Sequence, residues 1–142
     1  MGSRRSAREL ALQMLFQRGF HQDSQDSREG FVSFGQAQKT EVTAYAEQLV
    51  AGVLEHLTSI DGLIEKHAQH WSLERIAPVD RSILRFSICE LLYFKEVPSK
   101  VVIDEAIEVA KKYGNEDSGA FINGILDQIL RQSEASAPEV AS

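Results

Sequence analysis

The segment from Val79 to Phe94 constrains the fold more than any other, because a helix built from it carries apolar side chains on every side. These side chains are Val79, Ile83, Leu84, Phe86, Ile88, Cys89, Leu91, Leu92, Tyr93 and Phe94. A helix that is apolar all round must be covered by other elements. Pro78 suits its first turn, and Pro98 ends the pattern. The sequence therefore predicts a central, buried helix.

Elsewhere the apolar residues recur at spacings of three and four, which is the period of amphipathic helices rather than strands. Further helices are predicted over residues 4–20, 40–57, 59–71, 99–113 and 118–132, with Thr40, Ser99 and Asp117 or Ser118 as N-caps. A loop and a short helix are expected around Phe31 and Phe34. The prediction is an all-α fold: a single compact domain of six or seven helices over residues 1–132, in two subbundles around the central helix, then a disordered tail over 133–142.

Charge and composition limit the classes of partner. The chain of 142 residues has a formal net charge of -6, so a nucleic acid requires a local basic site rather than a protein-wide positive field. The single cysteine, Cys89, cannot form an intramolecular disulfide and is expected in the core. No secretion segment or membrane-spanning apolar run is recognisable, which favours a cytoplasmic location without membrane contact.

Three stretches carry a more specific pattern. They are residues 4–11 with three arginines, residues 78–85 with the order Pro-Val-Asp-Arg-Ser-Ile-Leu-Arg, and a long block from Val97 to Asp127. Together they make the chain resemble the NusB family of transcription antitermination proteins over residues 4–131, most weakly between 22 and 39. The resemblance implies a non-enzymatic protein that pairs with NusE, a small-subunit ribosomal protein. It also implies that the pair binds single-stranded boxA RNA in an RNA polymerase antitermination complex that supports ribosomal RNA operon transcription.

Arg4, Arg5 and Arg8 form the only compact basic cluster without interleaved carboxylates in the sequence. Guanidinium groups make charge-assisted, often bidentate contacts with phosphate oxygens. Charge alone favours a solvated chain terminus, whereas the resemblance implies contacts with RNA phosphates. Lys112 and Tyr113 are weaker candidates for added charge and stacking, although a tyrosine on that stripe is more often packed.

Phe121 and Asp117 begin the last predicted helix. Periodicity alone places Phe121 in the core, but the resemblance implies that its ring stacks on an unpaired base. Asp117 can cap the helix, and a carboxylate can also accept hydrogen bonds from exocyclic base amines. We expect this cationic and aromatic patch at the junction of the first and last helices. Three isoleucines can fill the core without the ring: Ile122, Ile125 and Ile129.

A second, acidic and apolar surface would suit NusE, which is a basic protein. The candidate contact residues are Phe16, Glu74, Asp80, Arg85 and Glu90. Acidic groups near the start of the central helix equally complement its dipole, and Phe16 has a core interpretation as well. For these positions the sequence therefore leaves a partner-binding and a structural role open.

Two other classes of protein remain as alternatives. One is a helical interaction module or homodimer without direct RNA binding, which would use Leu12 and Phe16. The other is an enzyme, because the helical domain also resembles the front of some ribosomal RNA cytosine methyltransferases. Those continue into a Rossmann-type domain that this chain lacks, so no catalysis or cofactor is expected.

No metal site is expected either, because His67 and His70 lack a third ligand. The carboxylates Asp104, Glu105 and Glu108 are expected to stay in solvent on a wet helix face.

Overall fold

The computed structural model describes residues 2–20, 40–68 and 72–136. The predicted loop and short helix of residues 22–39, together with His70, Trp71 and residues 137–142, lie outside the described residues. Within the described ranges the regular structure is entirely helical. Its helices are α1 (Gly2–Phe20), α2 (Thr40–Glu55), α3 (Leu57–His67), α4 (Pro78–Tyr93), α5 (Ser99–Tyr113) and α6 (Ser118–Ser136), and a 3-10 turn (Leu73–Arg75) precedes α4.

Helix α4 is the centre of the fold. α1 and α2 pack on each other and on α4. α5 and α6 form a second pair, and each of them also packs on α4. α3 lies against both α4 and α6. The prediction of an all-helical protein in two groups of helices around a central one is confirmed. The α4 side chains that are completely buried include Ile83, Leu84, Phe86, Ile88 and Cys89.

Some helix ends follow the predicted signals and others differ. α2 ends at Glu55 rather than at residue 57, and α3 covers Leu57–His67 rather than residues 59–71. Pro78 opens α4 as expected, whereas α5 is capped by Pro98, whose carbonyl accepts the Val102 amide at 3.1 Å, and Ser99 is its first helical residue. Proline in extended conformation can still supply this carbonyl, so a serine cap is not needed. α6 runs to Ser136, past the predicted boundary at residue 132.

Gly114 ends α5 because of space rather than backbone conformation. Its φ of -95° is open to any residue. A Cβ placed there would instead meet the Ser118 side chain and lie 2.9 Å from the Ala110 carbonyl oxygen. The glycine thus permits the tight turn that joins α5 to α6.

We expect Gly114→Ala to lower the free energy of unfolding by about 1 kcal/mol, since overpacking must shift backbone or a hydrogen-bonded serine. Urea denaturation measures the change. Gly124→Ala is the matched control, because nothing lies within 4 Å of its added Cβ and alanine favours the helix interior. Equal effects of the two substitutions would contradict the steric explanation.

Candidate nucleic-acid interface

Arg5 and Glu105 join α1 to α5 on the surface. Arg5 Nε donates to Glu105 Oε1 at 2.8 Å, and Nη2 donates to Oε2 at 2.7 Å. The Arg5 side chain is 50% exposed and that of Glu105 is 18% exposed. The hydrogen bond from Arg5 lowers the pKa of Glu105 below its ordinary value. Glu105 is therefore a held anion, contrary to the expectation of a freely solvated carboxylate.

Arg8 makes the same bidentate contact in the interior. Its Nε and Nη2 donate to the two carboxylate oxygens of Glu90 at 2.8 and 2.7 Å. The Tyr45 hydroxyl also donates to Glu90 Oε2, at 2.6 Å. Burial and this hydrogen bond raise the pKa of Tyr45. The three side chains form one buried polar cluster between α1, α2 and α4.

This geometry corrects two expectations. The side chains of Arg8 and Glu90 are only 3% and 1% exposed, so neither touches solvent appreciably. Arg8 is therefore not placed to contact an RNA phosphate directly, and Glu90 is not placed to contact a protein partner. Arg8 and Glu90 meet only in the folded structure, where their opposite charges offset each other. The sequence around either residue does not indicate this pairing.

The other basic residues of α1 and α5 remain at the surface. The Arg4 guanidinium lies 4.1 Å from the centroid of the Tyr45 ring, so it covers the buried cluster. Lys112 Nζ contacts Glu9 Oε2 at 3.2 Å, and the Tyr113 hydroxyl donates to Glu9 Oε1 at 3.2 Å. Arg4, Lys112 and Tyr113 are all exposed. Arg5 and Lys112 thus lie along the contact between α1 and α5, whereas Arg4 lies over Tyr45 of α2.

This arrangement also corrects the predicted position of the patch. The α1 side chains Arg5, Arg8 and Glu9 bond to residues of α4 and α5 rather than to the last helix. Phe121 and Asp117 lie instead at the start of α6. The expected single junction of the first and last helices is therefore replaced by two neighbouring regions, with α5 between them.

Phe121 lies at the edge of a cavity of about 200 Å³ between the start of α4 and the turn before α6. The ring is half-buried and packs partly on the core, and Asp117 is exposed. The turn is rigid, because Asn115 Oδ1 accepts the Asp117 amide at 2.8 Å and Ser118 Oγ accepts the Asn115 amide at 3.0 Å. The cavity is lined by Arg75, Ile76, Ala77, Asp80, Asn115, Asp117 and Phe121.

The prediction that three isoleucines of α6 lie in the core is confirmed, and Phe121 packs partly against the same core. Ile122, Ile125 and Ile129 are 0%, 4% and 3% exposed. Phe121 itself remains partly exposed. A base contact by this ring or by Asp117 stays a prediction.

Asp80 is an acidic residue whose side chain is buried. The residue is 7% exposed, and its Oδ1 is buried without a hydrogen-bond partner among the described residues. Burial raises the pKa of Asp80, and a hydrogen bond with Ser118 only partly opposes this shift. Asp80 is therefore largely shielded from a protein partner, and its partner contact stays a prediction.

The raised pKa of Asp80 has a definite effect on stability. The folded state binds the proton more tightly than the unfolded state, so the free energy of unfolding rises as the pH falls through the raised pKa towards the ordinary value. Above the raised pKa that contribution is absent.

We expect Asp80→Asn to be more stable than the wild type at neutral pH and to lose this part of the pH dependence. Urea denaturation between neutral and mildly acidic pH measures it, with Asp104→Asn on the exposed face of α5 as control. A more stable wild type at neutral pH would contradict the assignment.

The other partner candidates differ in accessibility. Glu74 is exposed on the 3-10 turn, and Phe16 is half-buried on α1. Arg85 is tied to Asp61 by two hydrogen bonds of 2.8 and 2.9 Å. The partner role of all three stays a prediction. Leu12 is only 4% exposed, so the homodimer face suggested for Leu12 and Phe16 loses one of its two residues.

Three residues that bond to candidate site residues could not be assigned that role from the sequence. Glu9, Tyr45 and Glu105 occur on ordinary amphipathic segments, and their partners are 45 to 104 positions away. A carboxylate on a helix face usually serves solvation, so spacing alone cannot distinguish the ones that hold an arginine.

Groups suited to covalent or metal chemistry have structural roles. Cys89 is buried, and burial raises the pKa of its thiol to about 12, so the reactive thiolate does not form near neutral pH. This agrees with the predicted core role of Cys89. His67 Nδ1 lies 3.0 Å from Gln128 Oε1. Across the described ranges, no group of three candidate metal ligands and no helix suited to crossing a membrane is found.

Fold and site together define a class: an all-helical protein whose arginine-bearing first helix is fixed to a central apolar helix by a buried ion pair. Residues 5–131 match the NusB family model, which covers most of the chain. The chain therefore belongs to the NusB family, as the sequence motifs predicted.

Relatives and solved structures agree with this assignment. The chain is 48% identical to the transcription antitermination protein NusB of Geobacter sulfurreducens, over 91% of this chain and 94% of that protein. It is 40% identical to T. maritima NusB, whose structure matches with a TM-score of 0.81 over 90% of each chain. A structure of the antitermination factors NusB and NusE in complex with dsRNA matches with a TM-score of 0.82 at 28% identity, over 93% of this chain and 98% of that chain.

Proposed function

We propose that this chain is a transcription antitermination factor that binds boxA RNA together with NusE and supports ribosomal RNA operon transcription. The observation that carries the proposal is a row of exposed cationic and aromatic groups along α1 and α5 in a protein of net charge -6. Family membership and the similarity to a NusB–NusE–RNA complex support the same conclusion. The chain acts by binding in the cytoplasm and is not itself an enzyme.

Arg4, Arg5 and Lys112 supply the contacts with RNA phosphates, because their charged ends are exposed. Arg8 contributes indirectly by fixing α1 on Glu90, which keeps its neighbours in place. Their contribution is sequence-independent and weakens as salt is added.

Phe121, Asp117 and Tyr113 supply the contacts with bases. An aromatic ring stacks on any base, whereas the exposed Asp117 carboxylate can accept from those bases that present an amino or imino group. The rigid turn between Asn115 and Ser118 holds both residues in a fixed relation, which favours reading of sequence.

NusE binds a surface near the start of α4, where Glu74 is exposed and Arg85 is held by Asp61. Phe16 provides an apolar edge on α1. Because NusE is a basic protein, the exposed carboxylates steer its approach and the apolar contacts hold it.

Fluorescence anisotropy with labelled boxA RNA tests the proposal. We expect weak binding by the chain alone and tighter binding once NusE is added, since two proteins then share the RNA. A scrambled RNA of equal length is the control. Equal affinity for the two RNAs would reject sequence-specific recognition. A stable homodimer in light scattering, together with no RNA affinity in the titration, would favour the interaction-module alternative.

A further inference from the structure

The contact between Arg5 and Glu105 has the geometry in which arginine binds phosphate. Two nitrogens of one guanidinium, Nε and Nη2, donate to two oxygens of one anion at 2.8 and 2.7 Å. Arginine takes carboxylate and phosphate by this same planar fork. An RNA phosphate and Glu105 therefore compete for the same donors of Arg5.

The surroundings leave space for such a competitor. A cleft of about 580 Å³ opens beside the pair. It has an apolar wall and both signs of charge, and its lining residues are Arg4, Arg5, Arg8, Glu96, Val97, Pro98, Val101 and Glu105. The carboxylates in and beneath the cleft offset the charge of the arginines, so a phosphate is drawn there less strongly than the sequence motif suggests.

We propose that Glu105 is an internal substitute for an RNA phosphate, which holds Arg5 in the absence of RNA and must release it when RNA binds. The proposal rests on the RNA-binding function proposed above and adds a residue that sets the affinity. Glu105 is an exchangeable partner because Arg5 is half exposed, whereas the Arg8–Glu90 pair beneath is closed to solvent.

A displaced Glu105 carboxylate has a second partner at hand. Arg8 Nη1 lies 3.6 Å from Glu105 Oε1, so a small rotation moves the carboxylate from Arg5 towards Arg8. Arg8 is already paired with Glu90, so Glu105 would share its guanidinium with a second carboxylate, and the exchange carries an electrostatic cost. It also implies that RNA binding by the chain alone stays weak until further contacts offset the lost ion pair.

Glu105→Gln tests the inference, with Asp104→Asn as its matched control. Both substitutions remove one negative charge from α5, but Asp104 is exposed and pairs with Lys100 at 3.5 Å. We expect Glu105→Gln to bind boxA RNA on the order of fivefold more tightly than the wild type, the size expected for one nearby charge in water. Asp104→Asn should change the affinity much less. Glutamine can still accept a hydrogen bond from Arg5, and thermal unfolding checks that the variant folds.

The same titrations in an Arg5→Gln background identify the route of the effect. We expect the gain from Glu105→Gln to disappear there, because no released guanidinium remains to take the phosphate. A merely structural role of Glu105 predicts equal or weaker RNA binding by Glu105→Gln, and that result would overturn the inference. Equal gains from Glu105→Gln and Asp104→Asn would overturn it too, by showing a general charge effect. Failure of the wild type to bind RNA would instead refute the proposed function itself.

Discussion

Replacing Glu90 by alanine is expected to lower the free energy of unfolding by about 3–5 kcal/mol, because it leaves a buried arginine without its counter-charge. Arg8 is 3% exposed and gives two hydrogen bonds to Glu90. Tyr45 loses its acceptor in the same variant. Urea or thermal denaturation followed by circular dichroism measures the loss, and α1 should separate from α4 before the rest unfolds.

Two variants separate the ion pair from ordinary packing. Glu108→Ala removes an exposed carboxylate of α5 and is expected to change stability by less than 0.5 kcal/mol, about the worth of an exposed pair. The double variant Arg8→Met with Glu90→Leu removes both charges and should be more stable than Glu90→Ala alone. A free energy of unfolding of Glu90→Ala that differs from the wild-type value by less than about 1 kcal/mol would refute a role of this pair in fixing α1.

The central helix could be predicted because its burial is written into its own sequence. Helix α4 carries apolar side chains on every side, and each helix packed against α4 covers one part of that surface. Likewise Ile122, Ile125 and Ile129 follow a helical period, so their burial needed no knowledge of the partner helix. Local periodicity thus determined the fold class and the core.

The pairing of charges could not be predicted in this way. Arg8 stands among other arginines in the sequence, yet it is bound to Glu90, which lies 82 positions away. Helical spacing places Arg8, unlike Arg5, on the same face as the buried Ala11 and Leu15. The identity of its partner could not be predicted, because only the packing of α1 on α4 brings Glu90 to it, and that is a property of the tertiary structure.

The family motifs added what periodicity lacks, but not the accessibility of each residue. They pointed to Phe121 and Asp117, whose exposed or half-buried positions suit a ligand contact. They also pointed to Arg8 and Asp80, which the structure buries. A motif records that a residue type matters at a position, and a buried ion pair and a binding contact both satisfy that condition.

Phe121→Ala is expected to weaken boxA RNA binding by about 1–3 kcal/mol, which corresponds to roughly 5- to 150-fold in Kd. The half-buried ring lines the same cavity as Asp117 and packs partly on the core, so its exposed part is available to an unpaired base. Because stacking is largely independent of salt, the variant should keep the wild-type salt dependence. Arg4→Gln should instead reduce that dependence, since it removes a phosphate contact.

Since Phe121 also packs on the core, the loss of affinity must be separated from a loss of stability. Phe121→Leu retains much of the apolar volume but has no ring face, so it should fold nearly as well as the wild type and still bind RNA weakly. Phe121→Tyr keeps the ring and should bind as the wild type does. Anisotropy titrations below the unfolding transition of every variant provide the comparison. Wild-type affinity in Phe121→Leu would show that the ring serves only packing, and the bases would then have to be read by other residues.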